Sequence, residues 1–252
     1  LGRALEIALQ SGRTMQELPL SGGAPGSRDV DQSLDYDFRC VFLCLPRWIL
    51  FRRIDARCEQ MILAGLVEEV AELLLAGRLK MDSSAAARAI GYRQTTEYLK
   101  SLISLFRVKP LSLIQQQDTF HHFLAGFMAA SRQYASQQIK WFRKDPRFVW
   151  IPAGEHTGLT TSQDPPAEQI RRLLDFDPGQ FESFLATEPD RPYRQFSVDE
   201  AGSLRTYQTQ LQVIQRGSPE ESRILERISS FIPQLERSGL FASHHSTTEP
   251  MP

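Results

Sequence analysis

Apolar positions recur along this chain with two different periods. Residues 1–10, LGRALEIALQ, already run with helical spacing where the sequence opens, and Ser11-Gly12 stops them. Residues 20–32 are glycine-rich and polar, and read as a loop. FRCVFLCL (38–45) is a short apolar run rich in β-formers and closed by Pro46, the pattern of a buried strand. Pro46 suits the first turn of a helix over PRWILFRRIDARCEQMILA, which Gly65 ends. Ile54, Cys58 and Met61 form the apolar stripe of that helix, with Arg53 and Arg57 beside it. LVEEVAELLLA predicts a second helix that buries Leu66, Val70, Leu73 and Leu74 and stops at Gly77. A third, capped by Ser83 or Ser84, is expected over 85–106 with Gly91 inside it, at a cost of roughly 1 kcal/mol against alanine. A long fourth helix is expected over 118–143, its inner seam traced by Phe120, Phe123, Phe127, Ser131, Tyr134, Gln138 and Phe142. RFVWIP (147–152) reads as a second strand.

After Gly154 the character changes. TSQDPPAEQ (161–169) reads as a linker, and the residues beyond it are acidic and helix-prone. Ser197 with Glu200 and Ser218 with Glu221 fit capping boxes, and Pro219 sits at the favoured first helical position. Two helices over 198–216 and 219–237 are therefore expected to form a hairpin. The chain divides into residues 1–152 and an acidic helical extension, 153–252, behind a Pro-rich linker.

The chain has 252 residues, 41% hydrophobic and 23% charged, enough for one large core or two smaller ones. No window approaches the ~18 consecutive apolar residues that span a bilayer, so no membrane partner is expected. Cys40, Cys44 and Cys58 make no disulfide framework and lack the four spaced ligands of a zinc site, so they read as small core residues. That thiol usage fits a reducing or neutral compartment, cytoplasmic or organellar (mitochondrion or plastid). The net charge of −1 hides an asymmetry: residues 1–152 carry 20 Lys+Arg and 15 Asp+Glu, whereas 153–252 carry 9 and 15. A nucleic acid should meet the first part, because phosphate contacts need clustered cations.

No G-x-x-x-x-G-K-[ST] loop, G-x-S-x-G elbow or His–Glu–His zinc pattern occurs in the sequence. Three basic and aromatic clusters do. Arg53 and Arg57, one helical turn apart, make a fork suited to phosphate oxygens, or else a solvated face beside Asp55. In RAIGYRQ, Arg88, Arg93 and Tyr92 surround Gly91, which suits close approach of a nucleic-acid backbone with Tyr92 stacking on a base, or else a tight helix crossing at Gly91. In SRQYASQQIKWFRK, Arg132, Ser136, Lys140 and Arg143 share a face, with Gln133, Gln137 and Trp141 beside them. That strip suits RNA in a bent loop, or is a solvated flank around a core tryptophan. His121-His122 and His244-His245 have no acidic or cysteine partner at ligand spacing and read as surface features; no metal ligand is assigned.

Taken in order, RALEIALQSGRTMQEL (3–18), RIDARCEQMILAGLVEEV (53–70), ARAIGYRQ (87–94) and SRQYASQQIKWFRK with FVW (131–150) resemble the tRNA dimethylallyltransferase (isopentenyltransferase) family. The resemblance covers about residues 1–152. It implies an α/β, P-loop-NTPase-like parent fold, of which this chain is a mostly helical part with about two short strands. It implies transfer of a dimethylallyl group from dimethylallyl diphosphate to N6 of the adenine next to the tRNA anticodon, assisted by Mg²⁺ whose ligands are not in this chain. The chain opens on Leu1 inside a helix, so a fragment is expected, with the phosphate loop and the general-base aspartate upstream. Arg57, with Arg53 beside it, is expected on the diphosphate, and Arg57 is the one member of the catalytic set that matches. Leu1-Gly2-Arg3, Arg88 to Arg93 and Ser136 to Arg143, the last including Gln138, match segments expected on the tRNA anticodon stem-loop. A monomer is expected. An alternative is a catalytically inactive module that docks tRNA or protein, and another is a purely structural chain. Three departures stand out: Ser136-Gln137 replaces the family's usual Lys-Arg, about a dozen residues around 101–118 are inserted, and the tail lacks the Cys/His zinc finger of several eukaryotic relatives.

Overall fold

The structure, a computed structural model, describes residues 37–80, 85–153, 165–187 and 207–241. The expected opening helix, Arg3, the loop at 20–32, the Ser197–Glu200 cap and His244-His245 lie outside the described residues. Strands β1 (Val41–Cys44) and β2 (Val149–Pro152) fall inside the two predicted runs and pair in parallel, Val41 opposite Val149 through to Cys44 opposite Pro152. The ladder is extended at both ends: Val149 N–H donates to the Cys40 carbonyl and Ala153 N–H to that of Cys44, each at 2.8 Å. Parallel neighbours need a long crossover, and here it is the whole helical body. That body comprises α1 (Arg47–Leu63), α2 (Leu66–Leu75), a 3₁₀ turn (Ala86–Arg88), α3 (Tyr92–Val108) and α4 (Leu113–Arg143). Beyond β2 come α5 (Pro166–Asp175), α6 (Pro178–Thr187) and α7 (Pro219–Arg237). The helix α5 begins within the stretch read as a linker, with Pro166 at its first position, where the missing N–H is not needed.

Two cores result. The larger joins Ile62, Val70, Leu99, Phe120, Leu124 and Met128 from α1–α4 to Ile214, Ile224, Leu225, Ile228, Leu235 and Phe241. Composition divides the chain at residue 152, but packing does not follow that division, since 207–241 lies in the same core as α1–α4. The smaller core sets Leu173 and Phe181 of α5 and α6 against Val149 and Ile151 of β2. Arg39 ties this edge together, donating to the Phe176 carbonyl at 3.1 Å and lying 4.3 Å over the Phe181 ring.

Three local expectations are corrected. First, the helix expected over 85–106 is broken: Ala89 is extended and Gly91 adopts φ +96°, so α3 starts at Tyr92. Gly91 is thus the residue before the helix rather than one in its interior, and its N–H donates to Gln94 Oε1 at 2.9 Å. A Cβ there would stand 3.4 Å from the Phe127 ring and 3.7 Å from Leu66. Second, α4 starts at Leu113, not 118, because Ser112 caps it: Gln115 N–H donates to Ser112 Oγ, and Gln115 Oε1 accepts from Ser112 N–H. Residues 101–118, read as an insertion, form the end of α3, a short turn and the start of α4. Of the predicted seam Phe120, Phe123 and Phe127 are buried, but Tyr134 is 52% exposed, and Leu124, Met128 and Ile139 complete the buried side. Third, α7 matches its expected span, but residues 207–216 are irregular rather than helical. The amides of Gln212, Val213 and Ile214 donate to the Glu59 carboxylate instead of closing helical turns.

Gly91→Ala should lower stability by about 1–3 kcal/mol, the usual cost of holding a non-glycine residue in a sparsely allowed conformation. Gly126→Ala, in a helical position with nothing within 4 Å of the added methyl, should instead be neutral or stabilising by up to ~1 kcal/mol. Urea unfolding of the two variants tests this, and equal effects would contradict the Gly91 geometry.

Candidate nucleic-acid interface

Helix α1 carries, besides Arg47 and Arg52, two pairs of charges of opposite sign. Asp55 and Glu59 are 2% and 1% exposed, whereas Arg53 and Arg57 stand in solvent and make no ion pair among the described residues. The sequence pattern finds the arginines but misses the burial of the carboxylates, because their partners come from far along the chain. Asp55 pairs with Arg132 of α4 and accepts from the Tyr207 hydroxyl at 2.8 Å. Arg132 also donates to Thr209 Oγ1 at 3.1 Å and lies 5.3 Å over the Tyr207 ring. Cys58 Sγ, next along α1, donates to Ser131 Oγ at 3.6 Å, and burial pushes its thiol pKa up. Burial likewise pushes Cys44 up to about 12, so that thiol stays protonated at neutral pH.

The predicted strip on α4 separates into three parts. Arg132 turns inward to Asp55. Gln138 and Arg143 line a cavity of about 400 Å³ together with Phe42, Leu50, Tyr134 and Trp150, and Ser136 Oγ donates back to the Arg132 carbonyl at 2.9 Å. Gln133, Gln137, Lys140, Trp141 and Lys144 form the exposed stripe, and Trp141 at 59% exposure is no core residue. Lys144 is not among the candidates that the sequence pattern picks out, yet the i, i+4, i+7, i+8 spacing from Gln133 extends by one step to reach it. The stripe is held by aromatic packing behind it: Phe142 lies 5.0 Å from Phe42 and 4.8 Å from Phe148, and Phe42 lies 4.3 Å from Trp150. This cluster fixes the end of α4 to the sheet.

Arg88 and Arg93 are both exposed, on either side of the Gly91 turn. Arg93 has only a 3.7 Å approach to Glu97, with both side chains largely in solvent, a pairing worth little. Tyr92 is half-buried and its hydroxyl donates to Glu69, which raises its pKa through that bond and through burial. Gly91 packs against Phe127, five residues or ~7.5 Å before Arg132 along α4.

His121 is not a surface feature. Its Nε2 lies 2.7 Å from the fully buried Glu221 carboxylate, which also accepts from Gln117 Nε2 at 2.8 Å and from the Gly217 N–H. The Ser218 cap is thus half a capping box: Ser218 Oγ accepts from Glu221 N–H, but the Glu221 side chain reaches Gly217 and α4 rather than the Ser218 amide. Among the described residues no three His, Cys, Asp or Glu side chains converge as metal ligands. No helix among them is long and apolar enough to cross a membrane.

The exposed stripe, the Gly91 turn and the Arg53–Arg57 pair all fall within residues 1–145, the stretch matched by the family model for IPP transferase. The chain belongs to the IPP transferase family. It is 36% identical over 154 residues to the tRNA dimethylallyltransferase of Protochlamydia amoebophila, covering 61% of this chain and 39% of that protein. It is 41% identical over 130 residues to tRNA dimethylallyltransferase 9 of Arabidopsis thaliana, covering 51% and 27%. The chain therefore spans about two fifths or less of the length of these relatives. No solved structure matches it.

The Tyr207 phenol is pushed up to about 12, first by burial and then by its bond to the Asp55 carboxylate. A phenol raised above its ordinary pKa of ~10 adds stability that is complete below that pH and is lost as pH rises towards the folded value. The stability difference between wild type and Tyr207→Phe should therefore shrink between pH 9 and pH 11, measured by urea unfolding. A constant difference would mean that the phenol is not coupled to Asp55.

Proposed function

We propose that the intact protein transfers a dimethylallyl group from dimethylallyl diphosphate to N6 of the adenine beside the tRNA anticodon. The observation that carries this reading is the family match over 1–145, the stretch containing every exposed cation and aromatic described above. In that reaction N6 bonds to the allylic carbon as the C–O bond to diphosphate breaks. The electron pair leaves with the diphosphate, and N6 gives up a proton. Negative charge grows on the leaving group, and a guanidinium already in place stabilises it without reorganising. Arg57, solvent-facing and without an ion pair among the described residues, is suited to that role, with Arg53 one turn away.

The exposed α4 stripe, Arg88 and Arg93 are suited to the anticodon stem-loop, because amides, cations and an indole on one strip can stack on and hydrogen-bond to splayed bases. Lys140 and Lys144 would meet phosphates while Trp141 offers a stacking face. Ser136-Gln137, in place of two cations, should make binding weaker and less salt-dependent than in relatives that keep them. Arg132 and Tyr92 would support this surface from behind rather than touch RNA. Mg²⁺ on the diphosphate would be held by residues outside this chain. We place the reaction in the cytosol or an organelle and the protein as a monomer.

In the intact protein, Arg57→Ala should lower the transfer rate by about 10²–10³-fold while tRNA affinity changes little. Arg93→Ala and Lys140→Ala should weaken tRNA binding and reduce its salt slope by about 1 each, with the rate at saturating tRNA preserved. Single-turnover transfer and filter binding across a salt series separate the two. Equal loss of rate and affinity in Arg57→Ala would remove it from the diphosphate, and tight binding without transfer by the wild type would leave only an RNA-docking module.

A further inference from the structure

The two charge pairs of α1 leave the helix on opposite sides, because residues two apart in a helix point about 200° away from each other. The carboxylate side is gripped, and apart from Arg132 the grip comes from beyond the family match. Glu59 accepts from three successive backbone N–H groups, those of Gln212 at 3.0 Å, Val213 at 3.0 Å and Ile214 at 2.8 Å. One turn earlier, Asp55 accepts from Tyr207 at 2.8 Å and from Arg132, and the Tyr207 ring stands edge-on to Phe51 at 5.4 Å. The far end of the same segment is pinned to α4 by Arg216 on Asp118 at 2.6 Å, and Glu221, just inside α7, reaches Gln117 and His121. Ile214, fully buried, anchors its middle.

We propose that residues 207–216 act as a strap that sets the rotation of α1 about its own axis and so aims Arg53 and Arg57, with Asp55, Glu59 and Tyr207 as positioning residues. Two anchor points one turn apart define that roll. A guanidinium ~8 Å from the helix axis moves by ~3 Å when the helix rolls by ~20°, the length of a whole hydrogen bond. The strap supplies main-chain donors at Glu59, so the contact depends on its path more than on its side chains. Tyr207 and Thr209 also fix Arg132, which ties the diphosphate-facing helix to the RNA-facing one. The proposal rests on the assignment of Arg57 to the diphosphate made above.

The test tracks Arg57 directly in the intact protein. Phenylglyoxal modification of Arg57 is read by mass spectrometry with and without inorganic pyrophosphate, for wild type, Glu59→Gln and Tyr207→Phe. Hydrogen exchange at 212–214 reports the strap, and circular dichroism reports the fold. Pyrophosphate should protect Arg57 in the wild type. In folded variants whose strap amides exchange faster, the pyrophosphate concentration needed for protection should rise about three- to tenfold. Unchanged protection in a variant with a released strap would overturn the proposal while leaving Arg57 on the diphosphate. No protection in the wild type would overturn the Arg57 assignment and the proposal with it. Should Glu59→Gln fail to fold, Tyr207→Phe, which removes one hydroxyl, decides.

Discussion

Two carboxylates carried into the interior on one side of α1 set the terms for the rest of this fold. Buried charge is tolerated only where hydrogen bonds and counter-charges replace the lost water, and breaking such a pair costs about 3–5 kcal/mol. Asp55 and Glu59 meet that demand with Arg132 from α4, the Tyr207 hydroxyl and three main-chain amides from the segment before α7. The acidic α1 face therefore requires α4 on one side and residues 207–216 on the other. A third buried carboxylate, Glu221, repeats the arrangement from the opposite direction, reaching from α7 to Gln117 and His121 of α4.

Helix α4 serves two purposes along its length. Its first four turns are a core element, with Phe120, Phe123, Leu124, Phe127 and Met128 buried among α1, α3 and α7. Its last three turns leave that core and are fixed instead by the aromatic cluster of Phe142, Phe42, Phe148 and Trp150 on the parallel strand pair. Helix α4, a rod of ~46 Å in all, presents Gln133, Gln137, Lys140, Trp141 and Lys144 on the free side of its last three turns. Rigid support of this kind holds polar and basic side chains at fixed spacing without a loop that must order on binding.

The family match stops at residue 145, but the packing continues past it. Helix α7 adds Ile224, Leu225, Ile228 and Leu235 to the main core, and Arg107 donates to the Phe241 carbonyl at its far end. This segment lies outside the matched stretch, yet it is packed into the same core.

Local pattern in the sequence was enough for both strands, α1, α2, α7 and most of α4, because each is a run whose apolar period matches its own geometry. It was also enough to pick out Arg53, Arg57 and Lys140 as exposed candidates, since side chains at i, i+3 and i+4 share a face whatever lies behind them, whereas the structure had to decide between strip and core for Trp141. Tertiary structure decided the rest. Gly91 reads as a weak point inside a helix until the Phe127 ring and Leu66 are brought against it. Residues 207–216 read as helix until a carboxylate about 150 residues earlier claims their amides. Arg132 and His121 read as surface groups until Asp55 and Glu221 arrive from remote parts of the chain. In each case the deciding partner lies too far along the sequence for any local period to register it, and the low-dielectric interior makes that partner obligatory.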